Sequence, residues 1–173
     1  MLFGALLLGG CPYSGIPLGA PDPGAFEPRL IGEWVLVGDS ATLQPGELWS
    51  ACPDSIPTVM TFVRFNPAEY LMSMNGTGCE VEHTRAFPTR IGDVLFLNVQ
   101  DEALSIDTDA STTFSLVRAD LSGDTLVLRF VSEEIGTPQS PQDLRGMVQR
   151  RLEDSTVYEE EVYRFHRRAP SER

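Results

Sequence analysis

The clearest pattern in the chain is a series of short segments in which β-branched and aromatic residues alternate with polar ones. Such alternation is typical of strands that bury one face. The predicted strands are 30–37, 58–65, 69–74, 80–87, 94–99, 112–118, 125–131 and 157–166. Turn residues separate several of them: Asn66-Pro67, Ile91-Gly92-Asp93 and the stretch Asp120–Asp124, which predicts a hairpin.

One helix interrupts the strands near the C-terminus. Ser140 can cap its start and Pro141 fits the first turn. Leu144, Met147, Val148 and Leu152 recur on one face. Seven strands, a helix and a last strand predict a mainly β protein: a single small antiparallel β-barrel of about eight strands. Closure is favoured because it removes edge strands, with another small barrel or a sandwich as the alternative.

The first predicted strand contains Gly32-x-Trp34. This motif resembles the signature of the lipocalins and their calycin relatives. The resemblance implies that the glycine lets the chain bend at the base of the barrel. It also implies that Trp34 packs across that base beneath an arginine from a late strand, for which Arg118 and Arg164 are the candidates. A lipocalin-like barrel could hold a small apolar ligand.

The N-terminus carries a second resemblance. An apolar run from Leu2 is followed by Leu8-Gly9-Gly10-Cys11, which is similar to a bacterial lipobox. The resemblance implies cleavage before Cys11 and acylation of the new N-terminus, for example with palmitate, so that a soluble domain becomes membrane-anchored. Pro12 after the cysteine implies the outer membrane. The alternative is an apolar first strand with an ordinary buried Cys11.

These observations predict four segments in the chain. Residues 1–10 are a lipoprotein signal, expected to be truncated because no basic residue precedes the apolar run. Residues 11–28 carry the lipidated cysteine and a tether rich in proline and glycine, which would hold the domain some tens of ångströms from the membrane at ~3.1 Å per residue. Residues 29–168 form the barrel, and residues 169–173 are a frayed C-terminus.

Two further cysteines, Cys52 and Cys79, lie within the predicted barrel domain. Export would place both in an oxidising compartment, which favours a disulfide worth roughly 3–4 kcal/mol in the chain-entropy model. Two free buried thiols are the alternative. This expectation depends on the lipobox, since the same cysteines in a reducing compartment would stay unpaired.

Charge and composition exclude several functions. The formal net charge of −12 opposes binding to nucleic acid. All basic residues are Arg, so chemistry that needs a lysine, such as Schiff-base formation or a P-loop, is excluded. No apolar run approaches the ~20 residues of a transmembrane helix.

Candidate chemistry is weak elsewhere. Cys79, Glu80, Glu82 and His83 do not have the spacing of a zinc site, and His166 lies among arginines. The acidic stretch with Asp101, Asp107 and Asp109 lacks the glycine and the terminal glutamate of an EF-hand. We therefore expect no metal, no cofactor and no enzymatic activity, although a hydrolase built on His83 or His166 remains a third hypothesis.

The sequence as a whole predicts an envelope-anchored, non-catalytic lipoprotein. Its partners would be the membrane, through lipidated Cys11, and either a small apolar ligand or an envelope protein. The first hypothesis is a small apolar ligand inside the barrel. The alternative is a structural or interaction lipoprotein with a solid barrel core that binds an envelope protein.

Overall fold

The computed structural model describes residues 13–37, 57–76, 82–100, 113–132, 135–160 and 162–169. Within them lie β1 (Tyr13–Ser14), β2 (Gly32–Leu36), β3 (Pro57–Asn66), β4 (Glu69–Gly76), β5 (Glu82–Ile91), β6 (Val94–Gln100), β7 (Phe114–Ser122), β8 (Thr125–Phe130), α1 (Pro141–Arg150) and β9 (Tyr163–Arg167). Strands β2 to β9 form a closed antiparallel barrel, in which each strand pairs with the next and β9 pairs with β2. The predicted fold class is confirmed.

Tight turns join three strand pairs at one end of the barrel, called the base below. These turns connect β3 to β4, β5 to β6 and β7 to β8. Gly92 and Gly123 occupy the last two of them with φ angles of 59° and 56°, a region that suits glycine. The other end, called the upper end, is where β2, β4, β6 and β8 finish and the longer connections begin.

Alternate residues on each barrel strand point inward and form a hydrophobic cluster, the inner cluster. Leu95, Leu97 and Val99 of β6 belong to it, on one face as predicted. Its most deeply buried members are Leu30, Trp34, Met60, Phe62, Tyr70, Ala86, Leu97 and Leu126, each 0% exposed. Every barrel strand contributes, so burial inside the barrel and strand pairing reinforce each other.

A second cluster, the outer cluster, lies on the outside of the barrel wall over β5, β6 and β7. Its buried members are Leu18, Ile91, Phe96, Leu116, Val131, Leu144, Val148, Val157 and Tyr158. Leu144 and Val148 come from α1, whose start is capped as predicted because Ser140 Oγ accepts from the backbone N–H of Asp143 at 3.1 Å. Helix α1 thus covers the wall rather than the barrel mouth.

The predicted tether is wrong for the residues described. From Tyr13 to Ile31 the chain packs onto the barrel, with Leu18 only 1% exposed. Two of its prolines, Pro23 and Pro28, each begin a short 3₁₀ turn rather than an extended segment. The folded domain therefore includes the described residues from Tyr13 onward, which lie before the predicted boundary at residue 29.

The last strand also begins later than predicted. Val157 ends a 3₁₀ turn and is buried in the outer cluster, so it does not belong to β9. Tyr158 forms an isolated bridge with Val131, and the chain enters the barrel wall at Tyr163. Tyr163 and Phe165 face inward as the alternation predicted.

Candidate functional site

The interior of the barrel is the first place to look for a ligand site. In the described part of the barrel, aromatic and aliphatic side chains fill this space. Phe62 and Tyr70 contact edge to face with ring centroids 5.8 Å apart, and Phe130 meets Tyr163 in the same way at 5.8 Å. Phe165 is 1% exposed. The inner cluster is therefore a packed core in the region that the structure describes.

At the base, Trp34 is held on several sides. Its indole Nε1 donates to the carbonyl of Leu30 at 2.8 Å, and the guanidinium carbon of Arg167 lies 4.3 Å from its ring centroid. Arg167 also donates to the carbonyl of Ile31 at 2.8 Å. Gly32 has a φ of 132°, which L side chains rarely adopt, and a Cβ there would lie 2.9 Å from Arg167 Nη1, so the position favours glycine.

The arginine over Trp34 is not one of the two predicted. Arg164 is exposed on the outer face of β9, and Arg118 lies on the outer wall with its guanidinium carbon 5.7 Å from the ring of Tyr158. Register explains the correction, since Trp34 pairs with Arg167. The alternation in the sequence could have identified this arginine. Tyr163 and Phe165 face inward, and the next position on the same face of the strand is Arg167.

Sequence reasoning missed a polar network that fastens the N-terminal segment to the base. The Tyr70 hydroxyl accepts from Glu27 N–H at 2.8 Å and donates to Glu27 carbonyl oxygen at 3.1 Å. The Glu27 carboxylate binds Arg29 Nε at 2.8 Å and Arg90 Nη2 at 3.0 Å. Hydrogen bonds from Arg29 lower the pKa of Glu27 to about 2, and burial raises the pKa of Tyr70 to about 12.

The described residues form a cleft on the outside of the barrel wall. A cleft of about 880 Å³, the outer cleft, lies between the outer faces of β7 and β8 and the segment that leads into β9. Its lining includes Arg118, Arg129, Ser132, Leu152, Tyr158 and Val162. Val162 is 37% exposed there, and its apolar surface stands beside charged groups. The register of β7 with β8 places Arg118 directly opposite Arg129.

One carboxylate holds the two arginines together. Asp120 accepts from Arg118 Nε at 3.0 Å and from Arg129 Nη1 at 2.8 Å, which offsets the repulsion expected of like charges across a strand pair. Arg118 also donates to the carbonyl of Leu152 at 3.1 Å and so fixes the far side of the cleft. Glu153, Glu159 and Glu160 supply negative charge to the same lining. The cleft offers both signs of charge next to apolar surface.

The other predicted residues do not come together with this cleft. His83 is exposed on β5, and His166 is exposed on β9 with its Nδ1 3.3 Å from Thr125 Oγ1. The described residues hold no group of three or more His, Cys, Asp or Glu that could bind a metal ion. Cys11, Cys52 and Cys79 lie outside the described residues, as do Asp101, Asp107 and Asp109.

Comparisons with known proteins give no family. No protein-family model, curated protein or solved structure matches this chain. Among the described residues, no helix is long and apolar enough to cross a membrane. The fold class therefore rests on the structure, and the lipocalin and lipobox resemblances stay predictions.

Proposed function

We propose that this protein is an envelope-anchored, non-catalytic lipoprotein whose barrel is a solid scaffold and whose outer surface binds an envelope protein. The observation that carries the proposal is the position of open space. An eight-stranded barrel either fills with side chains or holds one small ligand. Here the described interior is packed with residues such as Phe62 and Tyr70, while the outer cleft lies outside the wall.

The chemistry of the outer cleft fits a protein partner. Arginine and tyrosine are enriched in protein interfaces, where a planar guanidinium can bind carboxylates and an aromatic ring supplies apolar area. Arg118 is held by Asp120 and the Leu152 carbonyl, so it serves as a positioning residue. Arg129, with its side chain 33% exposed, is the residue that we assign to the contact.

The anchor belongs to the same proposal. The lipobox-like sequence before Cys11 supports lipidation, and Pro12 supports sorting to the outer membrane. An oxidising compartment would then pair Cys52 with Cys79. The intact mass of the N-terminal peptide from native envelopes tests the anchor: a diacylglyceryl, acylated cysteine is expected, and an unmodified Cys11 would contradict it.

Site-specific photocrosslinking in cells tests the contact surface. Benzoylphenylalanine replaces Val162 in the outer cleft or, as the matched control, Val63 on the outer face of β3, which is 46% exposed. We expect a discrete protein adduct at position 162, none at position 63, and loss of the adduct when Arg129→Glu is added. Equal adducts at both positions would overturn the proposal.

Native mass spectrometry of protein purified from its own envelope tests the rival hypothesis of ligand transport. A solid scaffold predicts the mass of the processed chain alone. A stoichiometric apolar molecule that survives transfer to the gas phase would favour a ligand carrier instead. Replacing Tyr163 with Trp should then reduce its occupancy, since Tyr163 lies in the inner cluster.

A further inference from the structure

The start of the folded domain changes how an anchored protein would sit on a membrane. Tyr13 pairs with Ser115 and Ser14 with Phe114, so the chain is already part of the sheet two residues after Cys11. Because only Pro12 lies between, the Cα atoms of Cys11 and Tyr13 can be at most ~7 Å apart. There is no long tether between this cysteine and the barrel.

The described N-terminal segment is fastened to the wall by buried contacts. Leu18 is 1% exposed, and its N–H donates to Asn98 Oδ1 at 2.7 Å. Asn98 is 0% exposed and donates from Nδ2 to the Phe87 carbonyl at 3.1 Å and to Thr89 Oγ1 at 3.0 Å. Lifting the segment would leave the buried Asn98 Oδ1 without the Leu18 N–H that it accepts from, which is costly in a buried site. The segment therefore cannot detach from the wall and so lengthen the connection between Cys11 and the barrel.

The position of β1 shows which end of the barrel lies nearest to Cys11. Ser115 lies near the beginning of β7, at the upper end, and β7 then runs to the turn at the base. From Ser115 to Ser122 a strand advances ~23 Å at ~3.3 Å per residue. The base, with Trp34 and Arg167, is the part of the barrel farthest along β7 from Cys11.

We propose, resting on the lipidation of Cys11 proposed above, that the barrel lies directly against the lipid headgroups through the side on which β1 pairs with β7, with its base turned away. The partner is a zwitterionic lipid surface, because a net charge of −12 disfavours contact with anionic headgroups.

The outer cleft borders the side on which β1 pairs with β7. Val131 donates from its N–H to the Leu116 carbonyl at 2.8 Å, next to Ser115, and the following residue, Ser132, lines the cleft. A protein that binds there must therefore reach the layer close to the membrane.

Fluorescence quenching on vesicles tests the orientation. The chain beginning at Cys11, with Cys52→Ser and Cys79→Ser, is coupled through its thiol to a maleimide phospholipid in phosphatidylcholine vesicles that carry a headgroup quencher. Dansylalanine replaces Thr113 beside β7 or Asp93 in a base turn. Because these positions lie ~20 Å apart along the barrel, we expect quenching at 113 to exceed that at 93 by at least about threefold.

A flexible insertion provides the matched control. About twenty Gly and Ser residues between Pro12 and Tyr13 span ~25 Å on average, so the difference between the two positions should largely disappear. Equal quenching with native spacing, or a difference that survives the insertion, overturns the proposed orientation. If the serine variants do not fold, the coupling uses the unsubstituted chain, with attachment at Cys11 verified by peptide mass.

The chemical state of Cys11 in cells distinguishes a failure of the lipidation proposal from a failure of the orientation proposal. Vesicle quenching does not depend on acylation in cells, whereas the N-terminal peptide from native envelopes reports only acylation. An unmodified Cys11 in cells with the expected quenching pattern would reject lipidation alone. An acylated Cys11 with equal quenching would reject the orientation alone.

Discussion

The inner and outer clusters are separated only by the wall of the barrel, yet they are closed in different ways. The inner cluster takes residues from all the barrel strands and is covered at the base by Trp34 and Arg167. The outer cluster has the wall on one side only. Its cover comes from α1, from Leu18 in the N-terminal segment and from Val131, Val157 and Tyr158, all of which lie outside the barrel strands.

Strand β6 belongs to both clusters and shows the difference most directly. Leu95, Leu97 and Val99 face the barrel interior, while Phe96 faces the outer cluster and Asn98 lies beneath the N-terminal segment. The interior holds mostly apolar groups, whereas the outer layer uses a buried amide to bind passing backbone. The barrel therefore sets the fold, and the outer layer positions the N-terminus and the outer cleft.

Removing Trp34 should have the largest effect. Trp34→Ala leaves a cavity in the inner cluster and takes the ring from beneath Arg167, so we expect a loss of about 3–5 kcal/mol in the free energy of unfolding, measured in urea. The control is Phe65→Ala, since Phe65 is 49% exposed and should cost much less. Similar losses for both would mean that Trp34 does not seal the base.

Truncating the helix contact should come next. Leu144→Ala removes a side chain that is 1% exposed in the outer cluster, and we expect a loss of about 2–3 kcal/mol in urea unfolding. Gln149→Ala is the matched control on the exposed face of α1. A loss no greater than that of the control would show that the helix adds nothing to the stability of the wall.

A smaller loss should follow when the buried amide is removed. Asn98→Ala leaves the Leu18 N–H without its acceptor, and we expect a loss of about 1–2 kcal/mol together with faster amide exchange at Leu18. Thr89→Val removes only one acceptor of Asn98, so its effect should be less. Unchanged exchange at Leu18 would contradict the role given to Asn98.

Acid should weaken the N-terminal segment through Glu27. Hydrogen bonds from Arg29 lower the pKa of this carboxyl from its ordinary 4.5 to about 2 in the folded protein, so its stabilisation is present above pH 4.5 and is lost as the pH falls toward about 2. Because Arg29 is largely exposed, the effect is on the order of 1 kcal/mol. Glu27→Gln should flatten the stability in that range, read by urea unfolding at each pH. An unchanged slope would exclude Glu27 as its source.

Alternation and turn residues predicted the strands, and a barrel was favoured over a sandwich because closure removes edge strands. The hairpin at Asp120–Asp124 exists, with Gly123 in the turn between β7 and β8. The helix also begins where Ser140 and Pro141 predicted. These features depend on neighbours in the sequence, which is why local patterns reveal them.

The errors arose where distant segments meet. The proline and glycine content of the N-terminal segment suggested a tether. That composition does not show that Leu18 and Ala25 are buried in the folded domain. Alternation does not show which face of β6 is inside, since β6 is buried on both faces and Phe96 lies in the outer cluster. No local sequence pattern predicts the outer cleft. Arg118 and Val162 line it together only because of the path that the chain takes after α1.

The pairing of β2 with β9 has a consequence for how the protein is made. Trp34 and Arg167, which are partners across this seam, stand near the two ends of the domain. Barrels dominated by such distant pairings fold in milliseconds to seconds rather than microseconds. In a chain that leaves the ribosome or a translocation channel from its N-terminus, β2 can pair with β3 early, but its other edge stays unpaired until β9 emerges. The chain's apolar strands are exposed during that interval, so we expect chaperone dependence before closure.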